Sequence, residues 1–321
     1  MLRVGAVNYL NTKPLIEGLT EFAPNVRLSL DLPSRLADQM AAGELDVGLI
    51  PVVEFFRAKN YSIVPGCSIS SRGPVLSVTL FSRVPWDQIR SVSLDEGSRT
   101  SAALTKVLLN ETSPPGPLSM MGRGCSTGES RREPATGQTG LNGTTDHFSD
   151  LNTPSPSWRG DRGVRSQPVT YHPLPITAAA EDVTTDAVLL IGDRAMKACL
   201  PGFEFSYDLG AEWFDRTGLP MVFAVWAVRP GVDLGEAEHA FVKAKKHGLS
   251  RAGVIAEREA KALGLDPGYV RRYFDTIIRY DLGEPELAGL RRYYQLATDL
   301  GLTPEGVDLV RYHRPHSEQS R

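Results

Sequence analysis

A chain of 321 residues, 41% hydrophobic and 23% charged, holds enough apolar material for a buried core and suits about two domains. Its formal net charge of -3 excludes a generally basic surface for nucleic acid, while a local positive pocket remains possible. The start, Met1 to Asn8, turns polar before an export-type apolar core forms, and no later run is apolar long enough to span a bilayer, so the expectation is a cytoplasmic protein without membrane insertion.

In chain order, Leu2 to Val7 reads as a short buried strand, and Asn11-Thr12-Lys13-Pro14 opens a helical stretch through Leu15, Ile16 and Leu19. Val26 to Leu32 predicts a second strand, then Pro33-Ser34 and an amphipathic run through Leu36 and Met40 that stops at Gly43. Leu45 to Pro51 supplies a third strand, and Val75 to Ser82 is again β-rich. Val92 to Asp95 begins another unit, whose helix starts near Ser98 to Ser101. From about residue 112 to 168 Pro, Gly, Ser, Thr and Arg dominate, and the expectation is a disordered insertion. Ala187 to Ile191 and Pro220 to Val228 predict further strands, and the chain beyond Gly235 is helical.

Strands alternating with helices imply an α/β protein with mainly parallel sheets, and ligands of such sheets bind beyond the carboxyl ends of the strands. The expected division is a discontinuous first lobe, residues 1–82 and 222–321, and a second lobe, 83–221, with the 112–168 insertion inside it. A cleft between two such lobes closes by hinge motion.

Several loop residues carry two readings. Asn11, just after the first strand, either binds a hydroxyl-bearing ligand through its carboxamide or caps a helix. Ser34 has the same two readings, and the following helix favours the cap. Gly97-Ser98-Arg99-Thr100-Ser101 places hydroxyls and free N–H groups at a helix start, a cradle for an anion or simply a cap. In Arg72-Gly73-Pro74-Val75-Leu76-Ser77, glycine permits close approach of a ligand and Ser77 offers a hydroxyl; a plain turn explains the same letters. Asp193 after Gly192 reads foremost as the cap of the next helix.

Other chemistries lack their residues. No P-loop and no G-x-S-x-G occur, and the six histidines show neither a nucleophile–base arrangement nor metal spacing. Cys67, Cys125 and Cys199 form an odd set without CxxC, which suits a reduced compartment. The expectation is no metal and no cofactor.

Together, Val4-Gly5-Ala6-Val7-Asn8-Tyr9-Leu10-Asn11-Thr12-Lys13-Pro14, Gly73-Pro74-Val75-Leu76-Ser77, Ser98-Arg99-Thr100-Ser101, Leu190-Ile191-Gly192-Asp193 and Thr217-Gly218-Leu219-Pro220-Met221-Val222-Phe223-Ala224-Val225-Trp226 resemble the chorismate dehydratase family of the futalosine route to menaquinone. The resemblance implies a two-lobed fold similar to type II periplasmic binding proteins. It also implies a hydro-lyase that converts chorismate into 3-[(1-carboxyvinyl)oxy]benzoate and water. By that match Asn11 and Ser77 contact the reacting ring, Ser98, Thr100 and Ser101 are anion or hydroxyl contacts, and Ser34, Gly73, Asp193 and Thr217 also bind substrate.

Amides and hydroxyls are poor proton acceptors near neutral pH, so the expected mechanism uses a carboxylate of the substrate as the base. Two other classes fit the same layout. Dihydroxynaphthoate synthase of the same pathway shares the fold, but typically opens with a Ser-Pro-Cys-Pro-Asn type segment where this chain has Asn8-Tyr9-Leu10-Asn11. A non-catalytic small-anion binding protein would normally carry an export signal or a helix-turn-helix, and neither is seen.

Overall fold

A computed structural model describes residues 1–58, 60–110 and 168–314. The insertion expected over 112–168 therefore lies outside the described residues, Pro168 excepted.

The chain opens with β1 (Leu2–Val7), the short helices α1 (Lys13–Ile16) and α2 (Leu19–Phe22), and β2 (Val26–Asp31), paired parallel to β1 in register. Helix α3 (Pro33–Ala41) leads to β3 (Val47–Pro51), parallel to β1 on its other side. Every residue of β3 is buried, as expected of a strand interior to a largely parallel sheet that helices cover. Helix α4 (Val52–Arg57) and β4 (Ser62–Ser71) complete the first pass through this lobe.

The chain then crosses over. β5 (Val78–Ser82) enters a second sheet, followed by β6 (Ser91–Asp95), α5 (Arg99–Asn110), β7 (Thr170–Leu174), β8 (Ala187–Ile191), α6 (Gly192–Lys197), β9 (Phe205–Asp208) and α7 (Leu209–Thr217). The long buried strand β10 (Met221–Val228) returns to the first sheet. Then follow α8 (Glu238–Ser250), α9 (Ala252–Leu263), α10 (Pro267–Arg272), a π-helical turn at Tyr273–Ile277, β11 (Ile278–Arg279) and α11 (Glu284–Asp299).

The first sheet has the order β11-β4-β10-β3-β1-β2 and the second β7-β6-β8-β5-β9. Each contains three parallel strands, then one antiparallel strand that has just arrived from the other lobe, β10 in the first and β5 in the second. The segments 72–77 and 218–220 between these strands are the two crossings. Residues 78–82 pair within the second sheet, so the first lobe ends at Ser71, before the boundary of 82 read from the sequence. β-propensity showed a strand there, but only its partners, β8 and β9, assign it to a sheet.

Strands β4, β7, β9 and β11 were not expected. In β4 the run Ser62-Ile-Val-Pro-Gly-Cys-Ser-Ile-Ser-Ser is interrupted by Pro65 and Gly66, which mask its pattern, and β11 is a two-residue edge inside a helical region. The C-terminal helices do pack on the first lobe: α8 covers α1, α2 and β4, while α11 lies against both β10 and α5 and so touches both lobes. Gly289 makes that fit possible, since a Cβ there would collide with the Pro220 carbonyl oxygen in the second crossing. No helix among the described residues is long and apolar enough to cross a membrane.

Candidate functional site between the lobes

A cleft runs between the two sheets. Its first-lobe wall comes from Val7, Tyr9 and Asn11 after β1, Pro33 at the start of α3, Pro51 at the end of β3, and Ile69, Phe223 and Ala224. The facing wall is Val75, Ser77 and Val78 at the first crossing, Ser98 and Ser101 at the start of α5, and Ile191 and Gly192 between β8 and α6. Helix N-termini therefore converge on it from both sides, as a parallel sheet dictates, because each crossover helix starts where its strand ends. Among the described residues, none that lines the cleft is charged. The favourable potential for an anion comes from the N–H ends of the nine-residue α3 and twelve-residue α5.

Four of the residues singled out in the sequence meet in this cleft: Asn11, Ser77, Ser98 and Ser101. Asn11 does not cap a helix, since the cap position of α1 is Thr12. Ser98 makes the capping contact and also lies on the cleft wall. Its hydroxyl accepts the Ser101 N–H at 3.3 Å, donates to the Ser101 Oγ at 2.7 Å, and lines the cleft as well.

Ser77 is almost fully buried and is fixed at three points. Its N–H donates to the Val75 carbonyl at 2.7 Å, its own carbonyl accepts the Gly192 N–H at 2.7 Å, and its Oγ accepts from the Tyr273 hydroxyl at 2.8 Å. The preceding Leu76 has a φ of 61°, left-handed and strained for leucine, and the Asp208 carboxylate holds its N–H at 2.7 Å.

The other residues singled out in the sequence lie outside the cleft lining, and two of them do not cap the helices they were expected to cap. Ser34 is the second residue of α3, whose cap position is Leu32, so it is not the cap, nor does it line the cleft. Thr100 sits one helix step from Ser101, faces α4 instead, and accepts the Val53 N–H at 3.3 Å. Gly73 belongs to the first crossing, where its carbonyl accepts the Ser71 hydroxyl at 3.0 Å. Thr217 donates to the Trp213 carbonyl at 2.8 Å and accepts the Leu219 N–H at 3.1 Å, which closes the last turn of α7.

Asp193 likewise is no cap, because α6 starts at Gly192 with Ile191 as its cap position. The Asp193 carboxylate reaches across to accept the Leu10 N–H at 3.0 Å, bracing one lobe against the other. Burial raises its pKa above the ordinary aspartate range, with the Leu10 N–H opposing. A second brace is the partly exposed Arg99 of α5, which pairs with Asp38 at 2.9 Å and Glu54 at 3.3 Å.

Two tyrosines of the site were not chosen from the sequence. Tyr9 packs its ring on Gly192, and burial followed by the nearby charges of Asp95 and Asp193 holds its hydroxyl protonated. Tyr273 is fully buried and lies within hydrogen-bonding reach of both Ser77 and Asn11. Neither gives a local signal: Tyr9 sits in a quoted run but is given no role there, and Tyr273 lies 196 positions from Ser77. Among the described residues no group of three or more His, Cys, Asp or Glu side chains is gathered to hold a metal ion.

This arrangement of two lobes, two crossings and one uncharged cleft can be set beside known proteins. The sequence profile of the menaquinone biosynthesis family matches residues 2–121 and 159–299. The chain belongs to the menaquinone biosynthesis family. One relative is the chorismate dehydratase of Thermus thermophilus, 30% identical over 319 residues, which span 93% of this chain and 95% of that protein. Among solved structures, a structural-genomics protein of Archaeoglobus fulgidus superposes with a TM-score of 0.59 at 15% identity, covering 94% of this chain and 98% of that one. The periplasmic aliphatic sulphonate binding protein of Escherichia coli gives 0.54 at 12% identity, covering 100% and 94%. At these identities the likeness speaks for the fold, and this member of the menaquinone biosynthesis family has a two-lobed, periplasmic-binding-protein-like α/β fold with its cleft between the lobes.

Proposed function

We propose that this protein is a chorismate dehydratase, a hydro-lyase that converts chorismate into 3-[(1-carboxyvinyl)oxy]benzoate and water on the futalosine route to menaquinone. One observation carries the reading: the cleft joins Asn11 and three serines to the N-termini of α3 and α5, with no charged side chain on its wall among the described residues. Such a site suits a dianion that needs orienting more than it suits a substrate that needs a strong base. Kinship with the Thermus thermophilus enzyme over nearly the whole chain supports the same reading.

In the reaction the C–H bond at the enolpyruvyl-bearing ring carbon breaks, its electrons form the new ring double bond, and the C–O bond to the neighbouring ring hydroxyl breaks. Hydroxide leaves with the released proton as water, and the ring becomes aromatic. Because the step is downhill, the protein's task is to lower its barrier by positioning. The proton passes to a carboxylate of the substrate itself. Asn11 and Ser77 orient the ring and hydrogen-bond the departing hydroxyl, while Ser98 and Ser101 with the α5 N-terminus hold a carboxylate. The lobes, residues 1–71 with 221–314 and residues 78–217, close on the substrate, expel water and strengthen those contacts. The reaction requires neither metal nor cofactor, and a cytoplasmic location fits a pathway that draws on chorismate.

Purified protein incubated with chorismate, with aromatic product followed by absorbance and mass, tests the assignment. Turnover is expected. Tight binding without product would make this a small-anion binding protein instead.

A further inference from the structure

Asn11 belongs to the first lobe and Ser77 ends the first crossing on the facing wall of the cleft, and a third side chain approaches both. The Tyr273 hydroxyl donates to the Ser77 Oγ at 2.8 Å and lies within reach of the Asn11 carboxamide. Tyr273 itself does not line the cleft, and it opens the π-helical turn Tyr273–Ile277, a local departure from α-helix that often marks a functional site.

A serine hydroxyl has one hydrogen and two lone pairs, so the partner that fills a lone pair decides where the hydrogen points. The Ser77 backbone groups are spent on Val75 and Gly192, which leaves the hydroxyl to be set by Tyr273. We propose that Tyr273 is a positioning residue: by donating to the Ser77 Oγ it turns the Ser77 O–H toward the cleft, where it meets the departing hydroxyl of the substrate. The inference rests on the chorismate reading above. Tyr273 remains a donor at working pH, because complete burial pushes its ionisation well above the ordinary tyrosine range. The Asn11 carboxamide oxygen accepts the Thr12 hydroxyl at 3.4 Å.

The test is a double-mutant cycle of wild type, Tyr273→Phe, Ser77→Ala and the double variant, with kcat and KM for chorismate measured separately and kcat normalised to folded protein from thermal melts. Tyr273→Phe is expected to lower kcat about 10-fold to 100-fold with little change in KM, and to cause no further loss in the Ser77→Ala background. A Tyr273→Phe variant with unimpaired kcat, or one that costs as much in the Ser77→Ala background as in wild type, overturns the proposal. Normalisation keeps the cycle decisive even where the lost hydroxyl lowers the melting temperature. Absence of turnover in the wild type sinks the function and this inference together, whereas turnover with an unimpaired Tyr273→Phe variant sinks the inference alone.

Discussion

The Asp208 carboxylate accepts the N–H of Leu76 at 2.7 Å, and that bond holds a leucine at a φ of 61° immediately before Ser77. The same carboxylate accepts the N–H groups of Val75 at 2.9 Å, Gly210 at 3.0 Å and Ala211 at 3.1 Å. One residue thus caps α7 and secures the first crossing between the lobes. Left-handed leucine costs about 1–3 kcal/mol, so without its acceptor the backbone relaxes and Ser77 turns away.

Asp208→Ala is accordingly expected to destabilise the fold by about 2 kcal/mol, the upper range for a lost cap, and to reduce chorismate turnover further than partial unfolding explains. Melting curves beside kcat per folded molecule separate the two effects. A variant that melts early yet turns over normally per folded molecule would show that Ser77 is aimed by something else.

Asn11→Ala and Ser77→Ala remove hydrogen bonds at the cleft without disturbing either sheet. Each is expected to lower kcat about 100-fold or more, in the range for loss of one preorganised donor, while the melting temperature shifts little. Steady-state kinetics and calorimetry check this pair. Equal activity in both variants would remove them from the reaction.

Gly192 has a φ of 58°, and a Cβ there would lie 3.0 Å from the Tyr9 ring. Gly192→Ala combines backbone strain with a push on Tyr9, which is then driven into the cleft. A raised KM for chorismate is the expected result, and an unchanged KM would place Tyr9 outside the substrate's path.

The pH dependence of Asp193 has a definite sign. Burial raises its pKa in the folded state, so the folded protein holds that proton more tightly than the unfolded chain. Its contribution to stability is thus greatest at acid pH and is lost as pH rises through the raised value. Asp193→Asn removes that loss and keeps an acceptor for the Leu10 N–H. Melting temperatures from pH 4 to pH 8 (about the range that spans an upward-shifted carboxyl) should favour the variant increasingly as pH rises. Parallel curves would contradict this.

The sequence alone determined much of the frame. Strands β1, β3, β6, β8 and β10 are apolar runs of strand length bounded by turn residues, and their alternation with helices predicts the parallel sheets and a site at their carboxyl ends. Asn11, Ser98 and Ser101 were legible as polar residues near those strand ends, and Ser77 as the hydroxyl at the end of the Gly73-containing turn before β5.

The direction of each side chain was decided only by packing. Thr100 and Ser101 are sequence neighbours of similar chemistry, yet successive helix positions point about 100° apart, so one faces α4 and the other the cleft. Asp193 and Thr217 matched expected contacts by letter, but neighbouring N–H and carbonyl groups claim them for a brace and a helix end. Local sequence fixes which backbone states are cheap, and so yields strands, helices and loops. Which residues meet across the cleft, Tyr273 with Ser77 above all, is settled by the return of the chain to its first lobe, a long-range event that no short window of residues encodes.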